Sequence, residues 1–316
     1  MTLHKRRKPL VTFKKNYELL LLCLPAIIAY ILFHYMPMSG LVIAFKRINF
    51  RDGIFGSPWV GFQNFEFLFR SADIWRIIRN TIGYNLAFIF VGLVVGVFIA
   101  VLLYEISSRR FLKYFQTAML LPNFLSWVIV AFITFALFSN ANGLINGILS
   151  FFGRERINIY TTPEYWPFIL IAVNTWKGIG IGCLMYYAAL MGIDPQLFEA
   201  AKIDGANKWR QIWHISIPGL IPLMVIMTIL ALSGIFRGDI GLFYQIPRGV
   251  GILNNVTDVV DTYVLRAISG TAGGTNTPST YEMATAIGLV QSVVGFALVL
   301  ITNFSVRKIS PENSLF

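Results

Sequence analysis

Charged residues are scarce in this chain. Asp, Glu, Lys and Arg make up 13% of the 316 residues, whereas hydrophobic residues make up 56%. A soluble domain of this length cannot bury so much apolar surface, so its surroundings must be largely lipid. The composition therefore predicts a polytopic membrane protein.

Cysteine and histidine are also rare. The two cysteines, Cys23 and Cys183, lie inside apolar runs, and the three histidines are scattered. Neither set has the spacing of metal ligands, so we expect no metal site. The sequence also lacks a His-Glu-x-x-His motif and paired carboxylates within its apolar runs, so we expect no catalytic residues.

Acidic residues are outnumbered by basic ones. The chain has 15 Asp and Glu against 26 Lys and Arg, a formal net charge of +11. The basic residues flank apolar runs, a pattern that fixes membrane topology and contacts anionic headgroups. We therefore expect membrane lipid, and no nucleic acid, among the partners.

A phosphate-binding loop is missing as well. No Gly-x-x-x-x-Gly-Lys-Ser/Thr motif occurs in the sequence, so this chain does not bind ATP by that route. Any energy from ATP must enter through a partner.

Apolar segments of about 20 residues, the length that spans a bilayer, occur six times. The predicted transmembrane helices are residues 17–36, 81–106, 115–138, 166–191, 218–236 and 282–304. Most basic connections then fall on the side of the two termini, which the positive-inside rule assigns to the cytoplasm. A cluster between the first two helices opposes this orientation: Lys46, Arg47, Arg51, Arg70 and Arg76.

These segments divide the chain into four regions. They are a basic cytoplasmic tail (1–16), a first transmembrane helix with an external segment (17–80), a transmembrane core (81–306) with a cytoplasmic loop (194–217), and a second cytoplasmic tail (307–316). In the external segment, apolar residues among charges predict an interfacial helix over 63–79.

The cytoplasmic loop has the pattern of two short helices joined by a turn. Asp194-Pro195 is typical of a helix start, and Asp204-Gly205 of a turn that closes a helix. An apolar face begins at Trp209, and Pro218 is expected to end the second helix. This pattern fits either a docking surface for an aqueous partner or a hairpin in the membrane interface.

One motif in this loop carries a resemblance. The order Glu-Ala-Ala-x-x-x-Gly, followed later by Ile-x-x-Pro, is filled by Glu199, Ala200, Ala201, Gly205, Ile215 and Pro218. It resembles the signature loop of membrane subunits of bacterial binding-protein-dependent ABC importers. Further stretches, among them Gly-Ser-Pro-Trp-Val-Gly at 56–61 and Asp-Thr-Tyr at 261–263, make nearly the whole chain similar to LplB-type polysaccharide permeases.

The resemblance implies an all-α membrane protein with six transmembrane helices of the type I ABC importer permease fold, in the bacterial cytoplasmic (inner) membrane. It implies a heterodimer with a second homologous permease, an ATPase dimer beneath it and an extracytoplasmic solute-binding protein. The implied substrate is an oligosaccharide, and ATP and Mg bind to the ATPase, with no cofactor bound by this chain. The alternatives are another solute for the same architecture, or a gradient-driven secondary carrier.

The resemblance also implies which residues couple to the ATPase. In that family the loop forms a coupling helix that docks into a groove of the ATPase. The implied coupling residues are Glu199, Ala200, Ala201, Asp204, Gly205, Ala206 and Pro218.

Polar side chains inside membrane spans usually face a water-filled path or a neighbouring helix. The candidate substrate-pathway residues are Asn123, Asn174, Trp176, Lys177, Tyr244 and Gln245. Interhelical hydrogen bonding is the alternative interpretation. LplB-type permeases often carry His where this chain has Asn123, so Asn123 departs from the pattern of the group.

Three arginines, Arg237, Arg248 and Arg266, favour an acidic oligosaccharide as substrate. Acidic residues close by in the sequence, such as Asp239, favour internal ion pairs instead. For Arg237 and Asp239 we expect an ion pair or a role at a helix end.

Overall fold

The computed structural model describes residues 17–49, 51–70, 73–269 and 280–309. The predicted tail over 1–16 lies outside these residues, as does most of the tail predicted over 307–316. Within them the chain is helical, with an isolated bridge between Lys46 and Trp59 and no strand. It divides into two compact units, residues 1–66 with 277–289, and residues 67–276 with 290–316.

The first unit begins with helix α1 (Tyr17–Tyr30). The helical path continues through a π-helical turn (Ile31–Tyr35), a short α-helical turn (Met36–Met38) and a 3-10 helix (Ser39–Phe45). This path contains the first candidate membrane span, Leu21–Phe45. The predicted span at 17–36 is therefore present but ends later than expected.

A short folded segment follows, with helices α2 (Gly53–Gly56) and α3 (Gln63–Arg70). Lys46 is buried there, and its ammonium donates to Ile54 O at 3.2 Å and Phe55 O at 2.6 Å. Lys46, one of the cations that oppose the predicted orientation, is thus hydrogen-bonded to backbone carbonyls.

The second unit contains the remaining helices, and the last of them also has residues in the first unit. They are α4 (Ile74–Tyr104), α5 (Arg109–Phe124), α6 (Trp127–Phe138), α7 (Leu144–Phe151), α8 (Trp166–Met191), α9 (Pro195–Ile203), α10 (Lys208–Gln211), α11 (Ile217–Leu232), α12 (Asn254–Thr257), α13 (Val260–Ile268) and α14 (Thr280–Ile309). The 3-10 helices are Ile159–Thr161, Pro163–Tyr165 and Gly251–Leu253, and the π-helical turns are Ile212–Ser216 and Gly241–Gln245.

The prediction of an interfacial helix over 63–79 is wrong for the second half of this range. Helix α3 ends at Arg70, and Ile74 already begins the long helix α4. Ile74 and Ile77 are buried, so the apolar face that suggested an interfacial helix packs inside the second unit.

The span predicted at 115–138 is not one straight helix. Helices α5 and α6 meet at a bend of 101°. Pro122 lies in the last turn of α5, and Leu125 is extended with ψ 136°. Ser126 then caps α6, because its Oγ accepts a hydrogen bond from the Ile129 N–H at 3.3 Å.

Pro218 does not end the helix that begins at Lys208, contrary to the prediction. The candidate span Lys208–Leu232 runs through it. A π-helical turn (Ile212–Ser216) precedes the proline, and the Ile217 N–H donates to Ile212 O. Such a turn widens the helix just where proline has no N–H to donate, so the ring fits without a break.

By length and apolarity, the described residues contain five candidate membrane spans, or six if the bent pair α5–α6 counts as one span. Lys208, at the start of α10, contacts Glu105, just after α4, at 2.5 Å, so these two helix ends lie close together. This contact is consistent with one crossing by the bent pair and one by α8.

The core of the second unit has two clusters. One contains Tyr84, Trp166, Leu170 and Phe243, near the start of α4 and α8. The other contains Ala100, Tyr186, Leu190 and Leu220, near the ends of α4 and α8 and the start of α11. Residues 192–207 and 233–259 therefore lie at opposite ends of these helices.

Candidate functional site

The predicted coupling loop contains a capped helix. The Asp194 carboxylate accepts from the Gln196 N–H at 3.0 Å, and Pro195 occupies the first turn of α9. At the other end the Ala206 N–H donates to Ala201 O at 2.8 Å, and the Gly205 N–H to Lys202 O at 3.1 Å. This is the Schellman arrangement, and Gly205 supplies its left-handed residue with φ 74°.

Helix α9 exposes apolar side chains while one aromatic residue anchors it. Ile203 is 88% exposed and Leu197 is 53% exposed. Phe198 packs on the Tyr104 ring, with centroids 5.7 Å apart. Exposed apolar residues on a short, well-capped helix are typical of a surface that meets a partner.

The rest of the loop is fixed to the same helix end. Asn207 caps α10 through the Arg210 N–H at 2.9 Å, and the buried Gln211 amide donates to Ala206 O at 3.0 Å. Together with the Lys208–Glu105 pair, these contacts connect the loop to the end of α4. Of the predicted coupling residues, the six from Glu199 to Ala206 lie on this loop. Pro218 lies within the following helix.

A second site surrounds the bend between α5 and α6. Lys177, from the middle of α8, donates to Asn123 O at 3.0 Å and to Pro122 O at 3.5 Å. These carbonyls belong to the last turn of α5, which carries the negative end of the helix dipole. The ammonium therefore binds carbonyls at the end of α5, where Pro122 O also accepts from the Leu125 N–H at 3.2 Å. For Asn123, only the backbone takes part in these two contacts.

Trp127 connects the bend to the segment after α11. The Lys177 ammonium lies 5.1 Å from the centroid of the Trp127 ring. The indole N–H donates to Asp239 Oδ2 at 2.8 Å, and Asp239 Oδ1 accepts from the Gly241 N–H at 2.8 Å. Asp239 therefore has the helix-end role, since it caps the π-helical turn Gly241–Gln245. Among the described residues it forms no ion pair with Arg237.

The other candidate pathway residues are spread over two cavities. Tyr244 and Gln245 line a cavity of about 280 Å³ together with Arg248. Asn174 lines another of about 460 Å³, together with Arg237 and Asp239. The structure thus brings Lys177 and the Asn123 carbonyl together, whereas Trp176, although next to Lys177 in the chain, is exposed and lines neither cavity.

Trp127 was missed from the sequence. The available signal was a serine directly before it, in an apolar run that follows Pro122. A serine that can cap a new helix, just after a proline, indicates a broken helix. Trp127 is then the first residue beyond the break.

Lys177→Met tests the role of this cation. Each charge-assisted hydrogen bond contributes about 1.5–3 kcal/mol, and the saved desolvation of a half-buried ammonium offsets part of the loss. We expect a net loss of stability of about 1 kcal/mol or more, measured as a lower thermal midpoint of the purified complex. Lys177→Arg is the control, because it keeps the charge and the donors. Equal midpoints for wild type and Lys177→Met would show that the ammonium does not hold the bend.

Comparison with known proteins places this geometry in a family. The family described as "Binding-protein-dependent transport system inner membrane component" matches residues 92–311, which include both sites. The chain belongs to this family. It is therefore a multi-pass inner membrane protein and a transport permease rather than an enzyme.

Two relatives within the family come from Bacillus subtilis (strain 168). The polygalacturonan/rhamnogalacturonan transport system permease protein YteP is 35% identical, over 98% of this chain and 93% of YteP. Protein LplB is 32% identical, over 96% of this chain and 92% of LplB. The resemblance to LplB-type permeases is confirmed.

A solved structure has the same fold. The crystal structure of a bacterial ABC transporter involved in the import of the acidic polysaccharide alginate aligns with a TM-score of 0.83 and 32% identity. The alignment covers 95% of this chain and 98% of that one. The expected permease fold is therefore confirmed for this binding-protein-dependent transport component.

Proposed function

We propose that this chain is the permease subunit of an ATP-driven importer that takes up oligosaccharides delivered by an extracytoplasmic binding protein. It works as one half of a heterodimer with a second homologous permease. The names of YteP and of the alginate transporter support polysaccharide-derived substrates of acidic character. The cavity lined by Tyr244, Gln245 and Arg248 supplies polar groups of the kind such substrates need.

The observation that carries this proposal is the capped, apolar and exposed helix α9, at the opposite end of the helices from that cavity. One end of the unit offers groups for a sugar, and the other offers a rigid surface for a partner. We propose that α9 docks on an ATPase dimer, which binds ATP and Mg, and that this side and both termini are cytoplasmic. The basic residues of the loop and of the terminal segments support this orientation.

Movement of the ATPase dimer then reaches the spans through the loop. Phe198 on Tyr104, and Lys208 with Glu105, join the loop to the end of α4. A displacement of α9 therefore moves α4, which packs along α8. Rocking of these helices opens the pathway to one side or the other.

Uptake by the reconstituted complex tests the proposal. Both permeases, the ATPase and the binding protein are placed in proteoliposomes, with labelled oligogalacturonate outside and ATP inside. We expect accumulation that requires ATP, the ATPase and the binding protein. Uptake driven by a proton or sodium gradient without ATP would establish a secondary carrier. ATP-driven uptake of a non-sugar solute in place of any oligosaccharide would overturn the substrate assignment.

A further inference from the structure

Arg248 has an unusual backbone conformation. Its φ is 59°, and it is the one non-glycine residue with positive φ in the part of the chain that the structure describes. The next residue, Gly249, donates its N–H to Tyr244 O at 3.3 Å, which closes the turn after the π-helical segment. Glycine or asparagine adopts this conformation with less strain. An arginine held there points to a role for its side chain.

The Arg248 guanidinium is positioned but not neutralised. Its Cζ lies 4.2 Å from the centroid of the Phe135 ring. No carboxylate of a described residue lies within 4 Å of it, whereas Arg266 is paired with Asp258. The remaining surface of Arg248 is exposed. A guanidinium with an aromatic ring on one face and no acidic partner is available to bind an anion.

The charge of Arg248 also affects the pKa of the neighbouring Tyr160 hydroxyl. Burial raises the pKa of Tyr160 to about 12, and the positive charge of Arg248 opposes that rise. Tyr160 packs edge-on against Phe135, with centroids 5.6 Å apart. Arg248, Phe135 and Tyr160 therefore form one local cluster, which fixes where the positive charge lies.

The cavity beside Arg248 has the composition of a sugar subsite. Its floor comes from Val128, Ala131 and Phe132, and Tyr244 and Gln245 line it with Arg248. Its volume of about 280 Å³ lies below the roughly 300–1,000 Å³ typical of pockets that enclose a drug-sized ligand, so it fits one sugar unit. The phenol and the amide can bind ring hydroxyls, and the exposed Phe132 ring offers a stacking face.

We propose that Arg248, Tyr244 and Gln245 form a subsite that binds a carboxylate-bearing sugar unit of an acidic oligosaccharide as it passes through the permease. The guanidinium binds the carboxylate through two parallel hydrogen bonds, and the phenol and amide bind the ring hydroxyls. This inference rests on the proposed function, and it adds the residue that distinguishes acidic from neutral sugars.

Binding to the complete complex without the binding protein tests this subsite directly. In nanodiscs of zwitterionic lipid, the affinity for trigalacturonate is compared with that for its carboxyl-reduced, neutral trimer. We expect wild type to bind the acidic trimer at least about tenfold more tightly, as a charge-assisted bidentate contact allows. Arg248→Gln should bring this ratio to about one. Arg248→Lys should give an intermediate ratio, because lysine keeps the charge but lacks the two parallel N–H donors that bind a carboxylate.

Two further variants separate binding from folding. Arg248→Gly removes the side chain and relieves the strained φ, so we expect a thermal midpoint no lower than that of wild type, with the preference lost. Arg154→Gln removes an exposed arginine from the connection between α7 and α8, and should leave the ratio unchanged.

The subsite is refuted if wild type shows no measurable preference for the acidic trimer, or if Arg248→Gln retains it. ATP-driven uptake by the same wild-type complex with its binding protein is measured in parallel. Normal uptake without a preference would overturn only the subsite, whereas absent uptake would overturn the proposed function.

Discussion

Gly205→Val should remove most ATP-driven uptake while leaving the membrane-spanning helices folded. Gly205 has φ 74°, and a β-carbon added there meets nothing within 4 Å. The penalty is therefore conformational rather than steric. A β-branched residue in the left-handed region costs about 1–3 kcal/mol, which favours a turn that no longer closes α9.

The expected loss of uptake follows from that penalty. If α9 must be closed by its Schellman turn to dock, about 1–3 kcal/mol corresponds to roughly a fivefold to 150-fold drop in the docking equilibrium constant. The drop is measured as ATPase co-purification and as uptake in proteoliposomes. Gly205→Asn should retain much of both, because asparagine tolerates a positive φ.

Gly153 offers a matched control for strain alone. It has φ 69° with nothing within 4 Å of an added β-carbon, and it follows α7, far along the chain from the coupling loop. Gly153→Val should lower stability by a similar amount yet leave ATPase co-purification intact. Normal co-purification and uptake in Gly205→Val would refute the docking role of α9. Equal losses of co-purification in both valine variants would show that Gly205→Val acts through general destabilisation and not through docking of α9.

Local features of this chain were predictable from the sequence. The cap at Asp194, the proline that follows it and the left-handed Gly205 each act within a few residues of themselves. Their effects depend on backbone chemistry that does not need the rest of the fold. Five of the six predicted spans were predictable for the same reason, since length and apolarity are local properties.

Two local features were nevertheless misjudged. Pro218 was expected to stop a helix, but the π-helical turn before it removes the clash. The sequence does not mark that turn, because proline normally predicts a boundary. The bend after Phe124 was hidden by an apolar run that reads as one continuous span.

The site at the bend between α5 and α6 depends on contacts that sequence spacing does not encode. Trp127 and Asp239 are separated by 112 positions, and Lys177 reaches Asn123 across 54. Packing of α8 beside the end of α5 brings Lys177 to Asn123, and packing of the segment after α11 beside the start of α6 brings Asp239 to Trp127. Lys177 was noticed in the sequence as a mid-span charge, and its role in a substrate pathway stays a prediction. Its partners, the backbone carbonyls of a broken helix, became visible only with the fold.

The bend also depends on a glycine that has no side chain to oppose Trp127. A β-carbon added at Gly241 would lie 2.8 Å from Trp127 Cβ and nearer still to its Cγ and Cδ1. These atoms are at the root of the side chain, so a rotation of the ring end does not relieve the overlap. Gly241→Ala should therefore displace Trp127, breaking its hydrogen bond to Asp239 and moving the ring away from Lys177.

We expect Gly241→Ala to lower stability by about 1–3 kcal/mol, the usual range for overpacking, and to reduce uptake about tenfold or more. Gly251→Ala is the matched control, because an added β-carbon there meets nothing within 4 Å.

In a Trp127→Ala background, which lacks the Cγ and Cδ1 atoms that the new β-carbon meets, Gly241→Ala should lower the thermal midpoint by less than it does in wild type, since the two changes share one contact. Uptake should stay low, because the indole that links Lys177 to Asp239 is then absent. A Gly241→Ala protein with wild-type midpoint and uptake would show that the close contact between Gly241 and Trp127 is not required. Recovery of uptake in the double variant would show that the indole serves packing alone.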